Sequence, residues 1–496
     1  MGVSSIGQQV EAFLEFFAWT VLWNKYFAVM FIVLGLYLTI GMRFFQFRRF
    51  GDIMRNTIGT LFSKKKIVKK DGDKTVTVSA FGAFATALGS TVGNGNIAGV
   101  ASAIALGGPG AIFWMWLCAF VGMATKMSEI ILTQTYKQVD PSGISFGSAA
   151  YYIQKGLVEE RGWKWCKVLS TIFSIGLLCA FYITPGPYVV AESVQAGFNL
   201  SRVGAILFSC AYVAIQLIVI NGGIKRIVKF AESIVPFMVI AYFAVAFFLI
   251  LRDIPATIAA FKSIFYYAFN PTAAIGGFAG ASVMMTLQIG VARSVYSNEA
   301  GWGSSPIVHA TVDVDHPVRQ GLWGAFEVFV DTIVVCTITG LIVVITGVWE
   351  TGEGGAGSVG KALSQAFGPI GGMSLATFIF IFAITTSTGW YAYLEALVGF
   401  LVRDKPASVR EKIVKFITRT GPFFGLGATM FFFWNGTVPA VAWMVLDIQS
   451  AVPVYVNVVA LALLSPVIFR KVKEFETNFL DPEKAARAAA AVSETN

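Results

Sequence analysis

Charge is scarce in this chain. Asp, Glu, Lys and Arg make up 13% of its 496 residues, while 56% are hydrophobic. So apolar a chain cannot cover its surface with hydrated groups, which excludes a soluble globular protein and requires a bilayer as solvent. Histidine is almost missing, with His309 and His316 the only two. The five cysteines are Cys118, Cys166, Cys179, Cys210 and Cys336, and all but Cys166 fall in apolar runs. They form no CxxC pair and no cluster with histidine, which argues against a zinc site and a disulfide framework. No GxSxG elbow, phosphate loop or metal motif occurs, so neither an enzyme nor an organic cofactor is expected. The N-terminus lacks a basic region before its first apolar run and shows no cleavage site, so no removable signal peptide is expected.

What is present is apolar length. A membrane span needs about 20 largely apolar residues. Eleven segments meet that test: 20–42, 78–106, 109–136, 168–196, 202–220, 226–251, 273–306, 320–347, 369–400, 413–434 and 438–468. The 44 Phe suit lipid-facing and packing surfaces. The formal charge of +9 does not indicate a nucleic-acid partner, because the basic residues sit in short loops between spans. Arg43, Arg48, Arg49, Arg55, Lys64, Lys65, Lys66, Lys69, Lys70 and Lys74 form the strongest cluster. Lys155/Arg161/Lys164/Lys167, Lys225/Arg226/Lys229, Arg403/Lys405/Arg410/Lys412 and Arg470/Lys471/Lys473 follow it. With eleven spans all these clusters fall on one side, and the Gly-rich loop from Glu350 to Gly360 falls on the other. Basic loops stay in the cytoplasm, so the N-terminus is expected outside and the C-terminus inside a plasma membrane. The tail after Asp481 is expected to be mobile.

One span followed by ten suggests an inverted repeat of five plus five. The expected organisation is 1–77 for the extra helix and a basic cytoplasmic segment, 78–251 and 252–468 for the two repeats, and 469–496 for a cytoplasmic tail. Corresponding spans of the two repeats both carry glycine and polar interruptions. Thr86 to Ala101 reads TALGSTVGNGNIAGVA, and 276–306 reads GGFAGASVMMTLQIGVARSVYSNEAGWGSSP. Each helix-interior glycine costs about 1 kcal/mol relative to alanine. Unwound backbone at membrane depth is tolerated only inside protein or along a wet cavity. Paired broken helices therefore mark a binding site, as in secondary transporters.

Three clusters carry candidate chemistry. Gly93-Asn94-Gly95-Asn96 can unwind and offer helix-start amides to a carboxylate. Asn96 adds a carbonyl oxygen for a hard cation, and Ser90 and Thr91 add hydroxyls. The alternative there is close helix packing through small residues. Thr286, Gln288 and Gly290 form the second cluster. Its alternatives are a backbone-bonded Thr and an interhelical hydrogen bond from Gln288. The third is Thr385-Thr386-Ser387-Thr388, where Thr386 and Ser387 suit an oxygen-only Na⁺ shell unless they simply bond their own backbone. Ionisable residues at depth are Glu129, Glu192, Glu232, Arg293, Glu299, Glu327, Asp331, Glu395 and Asp447. Lys126 and Glu129 have the spacing of a helical pair. Glu327 and Asp331 share a helix face and either relay protons or pair with Arg293.

The run Gly107–Gly122, GGPGAIFWMWLCAFVG, resembles the signature of the alanine/glycine:cation symporters, also called sodium:alanine symporters. GNGNIAGVA and NEAGWGSSP resemble the same family. The resemblance covers nearly the whole chain. It implies an all-α polytopic membrane protein of the amino acid–polyamine–cation superfamily. The fold implied is a LeuT-type five-plus-five inverted repeat with one extra N-terminal helix, eleven spans and two discontinuous helices. It implies Na⁺-coupled uptake of alanine or glycine across the cell membrane, with the lipid bilayer as the other partner. By similarity to neurotransmitter:sodium symporters, GNGN places Thr91 and Asn96 near one cation and the amides of Asn94 and Gly95 near the substrate carboxylate. TLQIG places Thr286 beside that cation and Gln288, Ile289 and Gly290 beside the substrate. AITTS joins Ala383, Thr386 and Ser387 with the carbonyls of Gly89 and Val92 as a second cation site. Thr91 replaces a small apolar residue there and Gln288 a small hydroxyl residue, which favours one Na⁺ over two. Phe181, Tyr182 and Trp390 are the expected walls of the side-chain pocket. Proton coupling through Glu327/Asp331 is the alternative mechanism, with a channel and a membrane-embedded enzyme further off.

Overall fold

A computed structural model describes residues 2–62, 78–139, 145–182, 186–270, 282–435 and 440–481. The side chains of residues 2–8 and 440–447 are outside this description. Lys64–Lys74 of the basic segment, residues 273–281 of the seventh expected span, the side chain of Asp447 and the tail after Asp481 lie outside the described residues.

The described chain is mostly helical, with one hairpin pairing Gln138–Val139 with Ser145–Phe146. Helix α1 (Gly2–Glu15) continues through a π-helical segment, Phe16–Leu22, and α2 (Lys25–Gly41) follows. The Asn24 side chain caps α2 by accepting from the Phe27 amide at 2.9 Å. The first broken span is α3 (Ala80–Thr91), the π-helical Gly95–Gly99 and α4 (Val100–Gly107). Next come α5 (Gly110–Tyr136), α6 (Cys166–Tyr182), α7 (Gly186–Phe198), α8 (Arg202–Ile220) and α9 (Gly223–Arg252). Helix α10 (Ile254–Phe269) leads to α11 (Val283–Asn298) and the short α12 (Pro306–His309). Then follow α13 (Pro317–Val328), the π-helical Phe329–Cys336, and α14 (Thr337–Ile345). After these come α15 (Gly355–Phe367), α16 (Pro369–Leu401), α17 (Ala407–Asn435) and α18 (Ala440–Phe475), which continues into the π-helical Glu476–Leu480. Serine starts several of these helices: Ser79, Ser201 and Ser282 accept from the amide three residues on, supplying an acceptor to a helix start whose N–H donors would otherwise be unpaired.

Eight helices are long and apolar enough to cross a membrane among the described residues. Three of the eleven expected spans are not among them. Span 78–106 is split by its break. Span 273–306 is described from residue 282 onward and holds the 16-residue helix α11. Span 413–434 lies in α17, which also carries Arg410, Lys412, Lys415 and Arg419. Two helices of more than ten residues lie between expected spans, α10 and α15. Asp253 caps α10 through its side chain. Helix α15 starts inside the glycine-rich loop, where burial of Val359, Ala362 and Leu363 outweighs the glycine penalty.

Helix α5 is the buried centre of the bundle, packed on α2, α10, α11 and α13. Between helices in lipid there is little hydrophobic drive, so close backbone approach through small residues does the work. A Cβ on Gly321 of α13 would stand 2.8 Å from Ile131 Cγ1, and one on Gly290 of α11 would stand 2.7 Å from Trp114 Cβ. Helix α9 instead shows Phe237, Ile240, Phe243, Phe247, Phe248 and Leu251 outward, as a lipid-facing side must. Helix α16 packs against α3, α7 and α9 and supplies the wall opposite the first break.

Candidate functional site

The first break is narrow. Helix α3 ends at Thr91, Val92 adopts an extended ψ of 100°, and the helix resumes at Asn94. Its geometry is held from within: the Gly93 amide donates to Asn96 Oδ1 at 2.8 Å. Asn96 Nδ2 donates in turn to Asp331 Oδ1 at 2.7 Å, tying the break to the span that contains α13. Glycine is required at 93, because a Cβ there would lie 2.6 Å from Thr386 Oγ1.

The second break lies eleven positions beyond Gln288. Helix α11 runs unbroken through Thr286–Gly290 and stops at Asn298. Glu299 then takes a left-handed φ of 52°, and Gly301 and Gly303 take φ of 88° and 71°. Positive φ is the property that glycine supplies and other residues resist, so Gly301-Trp302-Gly303 is what breaks the helix. The Gly303 amide donates to Glu129 Oε1 at 2.9 Å, and the Gly301 carbonyl accepts from Asn457 Nδ2 at 2.8 Å.

Between the two breaks is a cavity of about 50 Å³, lined by Ser90, Thr91, Gly93, Asn94, Gly95, Tyr296, Glu299, Trp302, Phe382, Ala383, Thr386, Ser387 and Trp390, among others. At 10–15 Å³ for each water-sized occupant, this holds roughly four such groups, a volume on the scale of the smallest amino acids. The restart at Asn94 turns the positive end of a half-helix toward the cavity. Asn94 Oδ1 is buried without a hydrogen-bond partner among the described residues. Glu299 places a carboxylate in the lining, and Oε1 accepts from Trp390 Nε1 at 3.1 Å. The site thus offers donors at one break and an acceptor at the other.

Beside this cavity, Thr386 Oγ1 approaches the carbonyl oxygens of Gly89 at 3.1 Å and Val92 at 3.4 Å. Two carbonyls left over by the ending of α3 therefore converge with a hydroxyl of α16. Tyr212 OH bridges the other two residues of the group, lying 2.9 Å from the Ala383 carbonyl and 2.6 Å from Ser387 Oγ. All five are uncharged oxygen donors, a set that fits a hard monovalent cation and not a thiophilic metal.

The remaining sequence candidates lie elsewhere. Gln288 Nε2 donates to the carbonyls of Trp23 at 2.8 Å and Trp19 at 3.3 Å, on the N-terminal helix. Ile289 is buried in the bundle core, Gly290 packs on Trp114 and Ala111, and Thr286 Oγ1 donates to the Gly107 carbonyl at 3.3 Å. These four do not line the cavity. The polar groups of TLQIG bond neighbouring helices, while a later turn of α11, at Tyr296, lines the cavity. Phe181 stacks on Trp390 at 4.7 Å and on Trp302 at 6.0 Å, standing behind the wall that those two form. Tyr182 faces away, with its hydroxyl 2.9 Å from Thr420 Oγ1. Sequence reasoning left Glu299, Trp302, Tyr296 and Phe382 out of the pocket. The signal for the first two was the paired glycines flanking Trp302.

Under the second break is a sealed polar network. Lys126 Nζ lies 3.1 Å from Glu327 Oε1 and donates to the Asn298 carbonyl at 2.8 Å. Glu327 Oε2 also meets His309 Nε2 and Ser305 Oγ, each at 3.3 Å. Lys126 thus pairs across to α13 rather than with Glu129 on its own helix. Glu129 is taken by Gly303 and Asn457. Asp331 accepts from Asn96, Ser297 Oγ and Thr332 Oγ1, while Arg293 lies over the rings of Trp19 and Tyr296.

The geometry agrees with what the chain resembles. Its fold is similar to the crystal structure of MhsT in complex with L-phenylalanine, with a TM-score of 0.56 over 79% of this chain and 90% of that one at 16% identity. That is the LeuT-type fold. The chain is 36% identical over 463 residues to the sodium/alanine symporter AgcS of Methanococcus maripaludis, covering 91% of this chain and 94% of that protein. It is 35% identical over 480 residues to the probable sodium/glutamine symporter GlnT of Bacillus subtilis (strain 168), covering 94% and 91%. The model of the sodium:alanine symporter family matches residues 8–488. A family model that spans nearly the whole chain places it among transporters, not enzymes: this chain belongs to the sodium:alanine symporter family.

Proposed function

We propose that the protein couples inward Na⁺ movement to uptake of alanine or glycine by alternating access. The observation that carries this reading is the convergence of Thr386 with the Gly89 and Val92 carbonyls beside a cavity of about 50 Å³. Na⁺ would bind there as a transported ion, with Ala383 and Ser387 completing its oxygen shell once Tyr212 yields them. The substrate carboxylate would take the amides of Asn94 and Gly95 at the half-helix start, near Thr91. Its ammonium group would meet Glu299. Phe382, Trp302 and Trp390 leave little room for a side chain, which favours alanine and glycine over glutamine. Because the cation orders the same break that the substrate touches, each ligand would raise the affinity for the other by an equal factor.

Rocking of the helices around this midplane site would expose it to each side in turn. In this reading residues 78–251 and 252–468 are the two repeats, the N-terminus is outside and the tail is cytoplasmic. A second Na⁺ at Asn96 is disfavoured, since its side chain is engaged by Gly93 and Asp331. The second mechanism is proton coupling through Glu327 or Asp331, and it draws support from their complete burial.

The test is uptake of labelled alanine into proteoliposomes. Accumulation driven by an inward Na⁺ gradient and competed by glycine is the expected result. Accumulation driven only by an inward proton gradient would transfer coupling to the buried carboxylates. Failure under both gradients would overturn the substrate assignment.

A further inference from the structure

The oxygens that converge beside the pocket already have partners within the protein. The Thr386 hydroxyl covers the Gly89 and Val92 carbonyls. A residue outside the group covers the other two. Tyr212 OH donates to the Ala383 carbonyl at 2.9 Å and lies 2.6 Å from Ser387 Oγ. Tyr212 belongs to α8, and among the described residues no part of α8 lines the pocket. In the continuous helix α16 the Ala383 carbonyl also accepts from the amide four residues on. A carbonyl oxygen has two lone pairs, so the Tyr212 hydrogen takes the one that a cation needs. A hydroxyl hydrogen and a cation both seek negative charge, and they compete for it.

Tyr212 yields its place only where its hydroxyl finds another partner, because a buried hydroxyl left unpaired is costly. A partner stands one turn away. Gln216 is fully buried on α8, and neither its Oε1 nor its Nε2 has a hydrogen-bond partner among the described residues. Most buried side-chain polar atoms are bonded, so an amide open at both ends is an exception that calls for a reason. Residues four apart on a helix are neighbours, and helical side chains lean toward the N-terminus. Both rules bring the Gln216 amide over the turn that carries Tyr212, with a donor and an acceptor to offer its hydroxyl. The helix itself is anchored: Ser209 Oγ donates to the Pro187 carbonyl at 2.6 Å, at the start of α7. The exchange is therefore a movement of one side chain.

We propose that Tyr212 is an internal competitor of the coupling cation, and that Gln216 receives its hydroxyl when Na⁺ displaces it from Ala383 and Ser387. The inference rests on the Na⁺ site read above and deepens it by naming what sets its affinity. A ligand that binds only one of two states has its affinity reduced by the fraction of that state. The docked hydroxyl thus weakens Na⁺ binding, and the Gln216 amide strengthens it by holding the hydroxyl away. The same exchange serves release. When Na⁺ leaves, the hydroxyl returns to the oxygens that the cation held, so neither is stranded at membrane depth.

The experiment is a Na⁺ titration of labelled alanine uptake by the full chain in proteoliposomes, paired with melting of the purified protein against Na⁺. Tyr212→Phe keeps the ring and deletes the hydroxyl. It should lower the Na⁺ concentration for half-maximal uptake at least threefold, a gain in affinity that structural damage does not produce. Its melting temperature should also rise more steeply with Na⁺ than that of the wild type, because tighter binding stabilises more at equal concentration. Gln216→Leu should raise the Na⁺ requirement at least threefold in the wild-type background and change nothing in the Tyr212→Phe background. Gln216→Leu removes an unpaired buried amide, so it tests the exchange even where Tyr212→Phe fails to fold. An unchanged Na⁺ requirement in folded Tyr212→Phe overturns the competitor, and so does a raised one, the mark of a hydroxyl that ligates the cation. An unchanged requirement in Gln216→Leu, or an equal shift in both backgrounds, overturns the exchange. A wild-type protein whose uptake and melting both ignore Na⁺ would overturn the cation reading itself, whereas normal wild-type Na⁺ dependence with these variants unaltered removes the competitor alone.

Discussion

The Thr386 hydroxyl lies 3.1 Å from the carbonyl oxygen of Gly89, across the contact between a helix that breaks and a helix that does not. The Gly89 carbonyl is one of those freed where α3 ends, and it needs a partner at membrane depth. A protein hydroxyl supplies that partner here, and a cation would supply it better. Replacing Thr386 by alanine removes one oxygen of the proposed shell. The Na⁺ concentration for half-maximal uptake should rise at least tenfold, about 1.4 kcal/mol, with little change in thermal unfolding. Thr386→Ser keeps the oxygen and should retain Na⁺ dependence. Titration of uptake against Na⁺ for the two variants checks this, and an unshifted Thr386→Ala curve removes the residue from the cation site.

Gly93→Ala should act on the same place by crowding. The added Cβ would stand 2.6 Å from Thr386 Oγ1, closer than van der Waals contact allows. Either Thr386 swings off the two carbonyls or the break opens. Overpacking of this kind costs about 1–3 kcal/mol. The Na⁺ requirement and the alanine KM should therefore rise together. Separate titrations of Na⁺ and alanine measure this, and a change in one without the other would show that the two ligands do not share the break.

Gln288→Ala is expected to leave alanine affinity unchanged. Its amide caps carbonyls of the N-terminal helix, and removing it leaves Trp19 and Trp23 short of a donor. Hydrogen bonds between membrane helices average about 0.6 kcal/mol, with a maximum near 1.7. The variant should therefore unfold slightly earlier on heating in detergent. Binding and melting measured on one preparation decide it, and a loss of affinity at normal melting temperature would return Gln288 to the pocket.

That contrast shows how far the sequence could be read. The apolar runs announced a polytopic bundle, and glycine with asparagine at 93–96 announced the first break, because few other sequences unwind at membrane depth. The second break was harder. Its span holds two polar stretches, TLQIG and NEAGWGSS, and only the second carries glycines that take positive φ. Composition does not say whether a buried Gln faces a pocket or another helix. Phe181 shows the same limit: it was expected, with Tyr182 and Trp390, as a wall of the side-chain pocket, yet it stands behind Trp390, whose ring lines the cavity. The partner of Lys126 was likewise hidden. An i,i+3 neighbour was visible along the chain, while Glu327 reaches it only through packing of α13 on α5.

The Lys126–Glu327 pair yields the sharpest stability prediction. Both side chains are fully buried, 3.1 Å apart, and Glu327 also meets His309 and Ser305. Removing one partner from a buried pair strands the other charge, which costs about 3–5 kcal/mol. Lys126→Met should thus destabilise strongly, since it takes the lysine charge away from Glu327 and from nearby Glu299 and Glu129. Lys126→Met with Glu327→Gln removes both charges together. The desolvation cost then vanishes with the attraction, so the double variant should recover most of the lost stability. A double-mutant cycle on thermal unfolding measures the coupling directly. If the pair is only structural, the recovered protein should still drive uptake with Na⁺. If Glu327 carries the coupling proton, stability returns but gradient-driven accumulation does not.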